Sequence, residues 1–340
     1  MRIGIVGGGN ISETHARAAA AIPGLEVVAF HGDNRERTAR LAAQFGAAVY
    51  DDFEAFLSDS SVDLIAIGSP SGRHAEQGIA AARRGIHVLV EKPIDVTTGK
   101  ADALIAAVED AGVKLGVFFQ DRLHPAVGEI KSLIDGGRLG SPVIISGRVK
   151  WYRPPEYYGG SRWRGTWALD GGGALINQAI HTVDLVQWMF GPVARVYGTT
   201  ATRAHKIEVE DTAAAVLEFA NGAVGTLEAT TSVFPGYARR LEVTGTEGTI
   251  ILEHDRLERI DLRSGAPNSA PPATDRNASA SSPVVADASA HRRVLEDFIR
   301  AIETGGQPMC DGREGRKSVA LVQAIYESSR TKRPVEIPQK

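Results

Sequence analysis

The first fifteen residues, Met-Arg-Ile-Gly-Ile-Val-Gly-Gly-Gly-Asn-Ile-Ser-Glu-Thr-His, run from a short apolar strand straight into a glycine turn and a helix. Gly7 and Gly9 occupy the first two positions of a G-x-G-x-x-G/A pattern, and Ser12 takes the third, where another small residue is usual. The first glycine allows the tight turn, the second lets the backbone approach a pyrophosphate, and the third position must be small for helix and strand to pack. The helix then offers free N–H groups and its positive dipole end to phosphates. In this strand–turn–helix setting the pattern predicts a dinucleotide site rather than a merely structural turn. Asn10 and Ile11, which complete the turn, join Gly7 and Gly9 as candidate cofactor-binding residues.

The next hundred residues continue the alternation. Helices are expected at 12–22, 34–45, 74–84 and 97–111, and strands at 25–30, 62–68, 86–90 and 113–119. Strands separated by helices argue an α/β fold with a parallel sheet and right-handed crossovers. A chain of 340 residues has room for two domains. A net charge of −3 makes no electrostatic case for nucleic acid or a membrane surface. The single cysteine, Cys310, excludes an internal disulfide and a cysteine-rich metal site, and no metal is expected. With no apolar run of membrane-spanning length and a Rossmann-type strand at the N-terminus, the expected location is the cytoplasm.

The end of the second strand distinguishes NAD from NADP. An acidic residue there binds the ribose 2′-hydroxyl, whereas a small residue with nearby arginine accepts a 2′-phosphate. The chain reads Phe30-His31-Gly32-Asp33-Asn34-Arg35-Glu36-Arg37: glycine stands where the carboxylate is expected, and Asp33 follows one residue late. Gly32, Asp33 and Arg37 are the candidate residues, NAD and NADP both stay open, and the arginines tip the reading toward NADP.

Two motifs carry chemistry. The fourth strand ends in Val90-Glu91-Lys92-Pro93, at the sheet edge where open α/β folds bind ligands. A lysine there can hydrogen-bond a substrate oxygen and, with a pKa depressed by burial, shuttle a proton. The second motif is Asp170-Gly171-Gly172-Gly173-Ala174-Leu175-Ile176-Asn177-Gln178-Ala179-Ile180-His181-Thr182-Val183-Asp184. A helix from about residue 173 would set Asn177, His181 and Asp184 on one face.

The glycine turn, Ser69-Pro70 with His74, Glu91-Lys92-Pro93 and the glycine-rich segment leading to His181 and Asp184 resemble the Gfo/Idh/MocA family of nicotinamide-dependent sugar and cyclitol oxidoreductases. The resemblance implies a Rossmann domain, placed here at 1–122. It implies a second α/β domain with a large, open, mostly antiparallel sheet, at 123–340, for substrate binding and oligomerisation. It also implies that Ser69, Pro70, His74, Glu91 and Lys92 line the cofactor path, that Lys92 and His181 face the sugar hydroxyl, and that the chain forms homodimers or homotetramers. Many members carry aspartate four residues before the histidine, where this chain has Asn177, which can orient a hydroxyl but cannot take a proton at neutral pH. Asn177-Gln178-Ala179-Ile180-His181, with Trp151-Tyr152-Arg153 and Trp163-Arg164-Gly165-Thr166-Trp167, is similar to the branch that includes UDP-N-acetylglucosaminuronate 3-dehydrogenases. That leaves Lys92 and His181 as the expected proton carriers.

Strands are expected at 143–150, 193–200, 212–219, 223–231, 239–245 and 248–253, a surface loop at 264–290, and helices at 291–304 and 312–330. Residues 151–167 concentrate aromatic and arginine side chains suited to a pyranose ring and an anionic group. Arg153, Tyr158 and Trp163, with Asn177, Asp184, Arg122 and His124, are the substrate-binding candidates. The expected activity is NAD(P)-dependent oxidation of a secondary hydroxyl, C3 of a pyranose sugar or derivative, or reduction of the keto-sugar. The alternatives are a cyclitol (inositol) dehydrogenase, transient C3 oxidation driving elimination or epimerisation without net redox change, and a non-catalytic sensor, against which Lys92 and His181 argue.

Overall fold

The computed structural model describes residues 1–58, 62–265 and 287–338. The expected loop at 264–290 lies for the most part outside the described residues. The chain opens with β1 (Arg2–Val6), α1 (Asn10–Ala20), β2 (Glu26–His31), α2 (Arg35–Ala43), β3 (Ala48–Tyr50) and α3 (Phe53–Ser58). It continues through β4 (Leu64–Ile67), α4 (His74–Ala82), β5 (His87–Val90), α5 (Thr98–Ala111) and β6 (Leu115–Val117). Then come α6 (Pro125–Asp135), β7 (Pro142–Lys150), α7 (Pro155–Gly159), α8 (Ile180–Phe190), β8 (Val193–Ala201), β9 (Thr212–Phe219) and β10 (Val224–Thr230). The last elements are β11 (Arg240–Gly245), β12 (Gly248–Glu253), β13 (Arg256–Leu262), α9 (Ser289–Thr304), α10 (Gly312–Thr331) and β14 (Val335–Glu336).

These form two units, Met1–Leu123 with Val284–Arg316, and His124–Pro283 with Lys317–Lys340. The first is a parallel six-stranded sheet in the order β3-β2-β1-β4-β5-β6. Strand order reverses beside β1, and at such a switch point the carboxyl ends of the strands open a crevice. β4 is apolar and buried along its whole length, as parallel strands covered on both faces must be. Ile3, Phe30, Leu64, Leu89 and Phe118 share one core with Val294, Leu295 and Phe298 of α9. A division at residue 122 therefore describes only the N-terminal part of this unit. The stripe His291, Val294, Leu295, Phe298, Ala301 brings α9 back to it after the second sheet has been built.

The second unit is an eight-stranded sheet in the order β13-β12-β11-β7-β10-β9-β8-β14, antiparallel except where β7 pairs with β10. Side chains alternate across it. Ile145, Val149, Val196, Leu217 and Leu227 are buried on one face, whereas Ile144, Tyr197, Val216 and Val224 on the other are 42–52% exposed. Helix α8 lies so close to the buried face that a Cβ at Gly147 would sit 2.7 Å from Thr182 Cγ2. No helix among the described residues is long and apolar enough to cross a membrane.

Candidate active site

In the first unit, the turn after β1 is held by contacts only glycine permits. Gly7 has φ +120°, and a Cβ there would lie 2.5 Å from Ser12 Oγ and 2.8 Å from Gly68 O. Gly32, at the end of β2, underlies the same turn; its Cβ would meet Thr38 Oγ1 at 2.6 Å and Gly8 N at 3.0 Å. Packing therefore disfavours a side chain at 32, and the first carboxylate after β2 is Asp33. Gly9 differs. Its backbone is extended (φ −90°, ψ −178°), open to any residue, and an added Cβ would meet no protein atom within 4 Å. Gly9 also caps α1 without any side-chain hydrogen bond, and Ser12 Oγ is buried with no partner among the described residues. Open space at Gly9, uncapped helix amides and an orphaned hydroxyl all fit a dinucleotide pyrophosphate. Asn10 and Ile11, the first residues of α1, flank that space.

Beyond β2, Asp33 accepts two hydrogen bonds from Arg73 Nη1, at 2.8 and 3.0 Å. Arg37 donates to Asn10 Oδ1 at 2.5 Å, while Arg35 pairs with Asp51. Both the candidate carboxylate and the candidate guanidinium thus stand at the glycine turn's edge, each with a partner of opposite character.

The segments after β4 and β5 are laced together. His74 is buried, its ring nitrogens 2.9 Å from Ser69 O and 2.8 Å from Pro93 O, and Ser69 Oγ donates to Gln77 Oε1 at 2.6 Å. Pro70 leads into the short turn that ends at His74. Glu91 is buried; one oxygen accepts the Lys92 N–H (3.1 Å), the other the His15 Nε2–H (3.0 Å), and His291 Nε2 lies 3.5 Å from that second oxygen. Burial works to raise the Glu91 carboxyl, but the adjacent His15 and His291 imidazoles outweigh it and hold the group well below the usual carboxylate range. Burial pulls the His15 imidazole below its ordinary value. Among the described residues these three could offer ligand atoms to a metal ion. Of the two imidazoles, His15 is hydrogen-bonded to Glu91, while both His291 ring nitrogens are buried with no hydrogen-bond partner among the described residues. The Glu91 hydrogen bonds anchor the half-buried Lys92 at the end of β5.

In the second unit, the expected single helix from residue 173 is instead two pieces. Residues Ala174–Gln178 wind as a π turn, and α8 begins at Ile180, with His181 in its first turn. Asn177 and His181 are four positions apart, but not at α-helical pitch, so shared helical spacing does not align them. A π turn distorts the helical ladder and needs support from outside it. Glu210, 3% exposed, supplies it: Oε2 accepts the Gly173 N–H, and Oε1 accepts the Leu175 N–H and the Tyr326 hydroxyl, each at 2.9 Å. Burial pushes the Glu210 carboxyl up to about 7. Asn177 donates Nδ2–H to Asp170 and accepts from Gln178 Nε2 at 2.7 Å. Gln178 also donates to Tyr157 OH (2.9 Å) and accepts from Arg153 Nε and Nη2 at 3.1 and 2.8 Å.

The candidate substrate residues divide. Arg153 is 2% exposed, held by Gln178 and by Tyr152 O, which makes it a support of the π turn. Tyr158 is buried, its hydroxyl 3.0 Å from Thr231 Oγ1. Asp184 is buried and accepts from Ser318 Oγ at 3.3 Å. Arg122, 4% exposed, pairs with Glu314 at 3.0 Å in the first unit, and His124 precedes the proline that starts α6. Trp163 is half-buried beneath the Arg164 guanidinium, 5.4 Å from its ring centroid. Sequence reasoning assigned no role to Asp170, Gln178, Glu210, His15 or His291. The one available signal was the adjacent acidic pair Glu210-Asp211 at the head of an alternating strand.

Residues 1–119 match the family model described as an oxidoreductase family with an NAD-binding Rossmann fold, and residues 127–251 match the GFO/IDH/MocA C-terminal domain. D-apiose dehydrogenase of Paraburkholderia graminis is 30% identical over 98% of this chain and 88% of its own. The chain belongs to the Gfo/Idh/MocA family. D-xylose 1-dehydrogenase (NADP(+)) 2 of Haloferax volcanii is also 30% identical, over 99% of this chain and all of its own length. The family fold extends over the whole chain: the WlbA dehydrogenase of Bordetella pertussis, solved with NADH and UDP-GlcNAcA, superposes with a TM-score of 0.88 at 34% identity, covering 100% of this chain and 99% of that one.

Proposed function

We propose that this Gfo/Idh/MocA member oxidises a secondary hydroxyl of a pyranose sugar or sugar derivative, at C3, or reduces the corresponding keto-sugar. The observation that carries this reading is the buried polar scaffold around the π turn. Asp170, Gln178, Arg153 and Glu210 fix Asn177 just ahead of His181. Such a scaffold holds the Asn177 amide in place for a hydroxyl, four positions before His181, rather than merely filling a core. Lys92, anchored through Glu91, and His181 are the proton carriers, and Asn177 orients the hydroxyl. The nicotinamide, when bound along the Gly7–Ser12 turn, takes or gives the hydride. NADP is the favoured cofactor, with Arg37 toward the 2′-phosphate; the NADP-dependent relative supports this and the NADH complex leaves NAD open. The C3 position is supported by the Asn177–His181 motif and by the complex with a nucleotide-linked sugar acid. The exposed face carrying Ile144, Tyr197, Val216 and Val224 supports assembly into a homodimer or homotetramer.

The test is a panel of sugars, sugar acids and cyclitols offered with both nicotinamides and followed by nicotinamide absorbance. Reduction of NADP or NAD with a pyranose, and an oxo product at C3 by NMR, is the expected result. Turnover confined to cyclitols, or product formed with no net change in cofactor, would replace this reading with the inositol or the elimination/epimerisation alternative.

A further inference from the structure

Between α7 and the β8–β9 connection, the second unit contains a cavity of about 750 Å³ lined by Tyr158, Ser161, Arg164, Thr166, His205 and Lys206, among others. Arg164 is the unusual member. Its Nε is buried with no hydrogen-bond partner among the described residues, and its one hydrogen bond there runs from Nη1 to Tyr157 O at a marginal 3.5 Å. No carboxylate among the described residues pairs with it, in contrast to Arg73, Arg195, Arg240 and Arg313, each of which has one. Glu208 also lines the cavity and sets one exposed carboxylate in the wall, without pairing with Arg164; the nearby acidic groups meet other donors. Glu208 accepts the Trp167 N–H (3.1 Å), Asp170 accepts the Gly165 N–H (2.8 Å), and Asp211 accepts the amides of Arg203, Ala204 and His205. His205 is spent on Asp211 and on Arg153 O. Lys206, exposed, forms no ion pair among the described residues and adds a second positive charge to the wall.

An arginine fork offers five N–H donors, and leaving them unmet away from water costs stability. Here the guanidinium carbon also lies over two rings, 4.3 Å from the Tyr157 centroid and 5.4 Å from that of Trp163. A guanidinium lying over two aromatic rings, with no carboxylate partner among the described residues and open volume beside it, is preorganised for a planar or tetrahedral oxyanion. The cavity is tied to the proposed site within the same unit. Tyr157, which stacks Arg164, accepts from Gln178; Asp170, which holds Gly165, accepts from Asn177.

We infer that Arg164 binds an anionic group, carboxylate or phosphate, carried by the substrate, so that the chain acts on acidic sugar derivatives in preference to neutral ones. This rests on the sugar-dehydrogenase reading for turnover, but the anion preference can be measured without it. Calorimetric titrations use the purified chain with bound NADH and pairs of ligands: uronic acids against their neutral sugars, and sugar 1-phosphates, including nucleotide sugars, against the same neutral sugars. At least one anionic member is expected to bind tenfold or more better than its neutral twin, and whether it is in the uronate or the phosphate arm identifies the anion. Arg164→Ala should remove that preference without changing affinity for the neutral sugar, and Arg164→Lys should restore part of it. Thermal melting checks that both variants fold. Equal binding of acidic and neutral twins across the panel overturns the inference, as does equal loss for both in Arg164→Ala. Absence of turnover with a retained, Arg164-dependent anion preference would overturn the dehydrogenase reading and leave this one standing.

Discussion

The two units make their binding edges from different material. In the first, the glycine turn is shaped by absence: at Gly7 and Gly32 neighbouring protein atoms occupy the space of a Cβ, whereas at Gly9 no protein atom does, and the proposed reading gives that space to the cofactor. In the second, the edge is shaped by presence: the π turn survives because Glu210, Asp170, Gln178 and Arg153 each meet a specific polar atom. Added volume should therefore damage the first edge, and a lost hydrogen-bond partner the second.

The largest effect separates chemistry from both kinds of support. Removing a proton-transfer group costs about 10²–10⁴-fold in rate, so Lys92→Ala and His181→Ala should each lower kcat by that order while dinucleotide affinity by fluorescence titration stays near normal. Full kcat in both variants would show that neither edge has been read correctly.

A pair of glycine substitutions splits the first edge by cause. Gly9→Val should fold with an unchanged melting temperature yet lose dinucleotide affinity by about a hundredfold or more, since its side chain enters only ligand space. Gly32→Ala should do the reverse first, lowering stability by about 1–3 kcal/mol through overpacking against Thr38 and the turn. Similar profiles for the two variants would erase the distinction between packing glycines and ligand glycines.

Glu210 sharpens the second edge through pH. Its carboxyl rises from 4.5 to about 7 on folding. Its contribution to stability is therefore fully present below about 4.5 and is lost as pH rises through about 7, a loss on the order of 3 kcal/mol. Urea unfolding of the native chain from pH 4.5 to 8 should show this decline, and Glu210→Gln should flatten it. An unchanged slope in the variant would mean that another group titrates. The smallest effect is at Arg37: charge reversal there should raise the KM for NADP about tenfold and leave that for NAD within twofold. Equal changes would make Arg37 only a surface partner of Asn10.

Much of this was legible from the residues alone because it is local. The β1–α1 turn, the position of Lys92 after an apolar strand, and the strands from β7 to β12 follow from glycine spacing and hydrophobic periodicity. β13 was not legible: Arg256-Leu257-Glu258-Arg259-Ile260-Asp261-Leu262 alternates, but with charges on an edge strand. Nor was the π turn, since Ala174-Leu175-Ile176-Asn177-Gln178 contains nothing that disfavours an α-helix and the bonds that divert it come from Glu210, 32 or more residues away.

By itself, then, the sequence determined the dinucleotide turn, the two-sheet architecture and the residue types able to move a proton, because each depends on neighbours a few positions apart. Only the tertiary structure decided that α9 closes the first unit, that Glu91 holds Lys92 through His15 and His291, and that Arg153 is a buried support while Arg164 is left facing a cavity. Those outcomes depend on which distant side chains share a desolvated space, where an unmet polar group is costly and a met one is rigid. Two arginines eleven positions apart look alike on the chain; burial and partners give them different work.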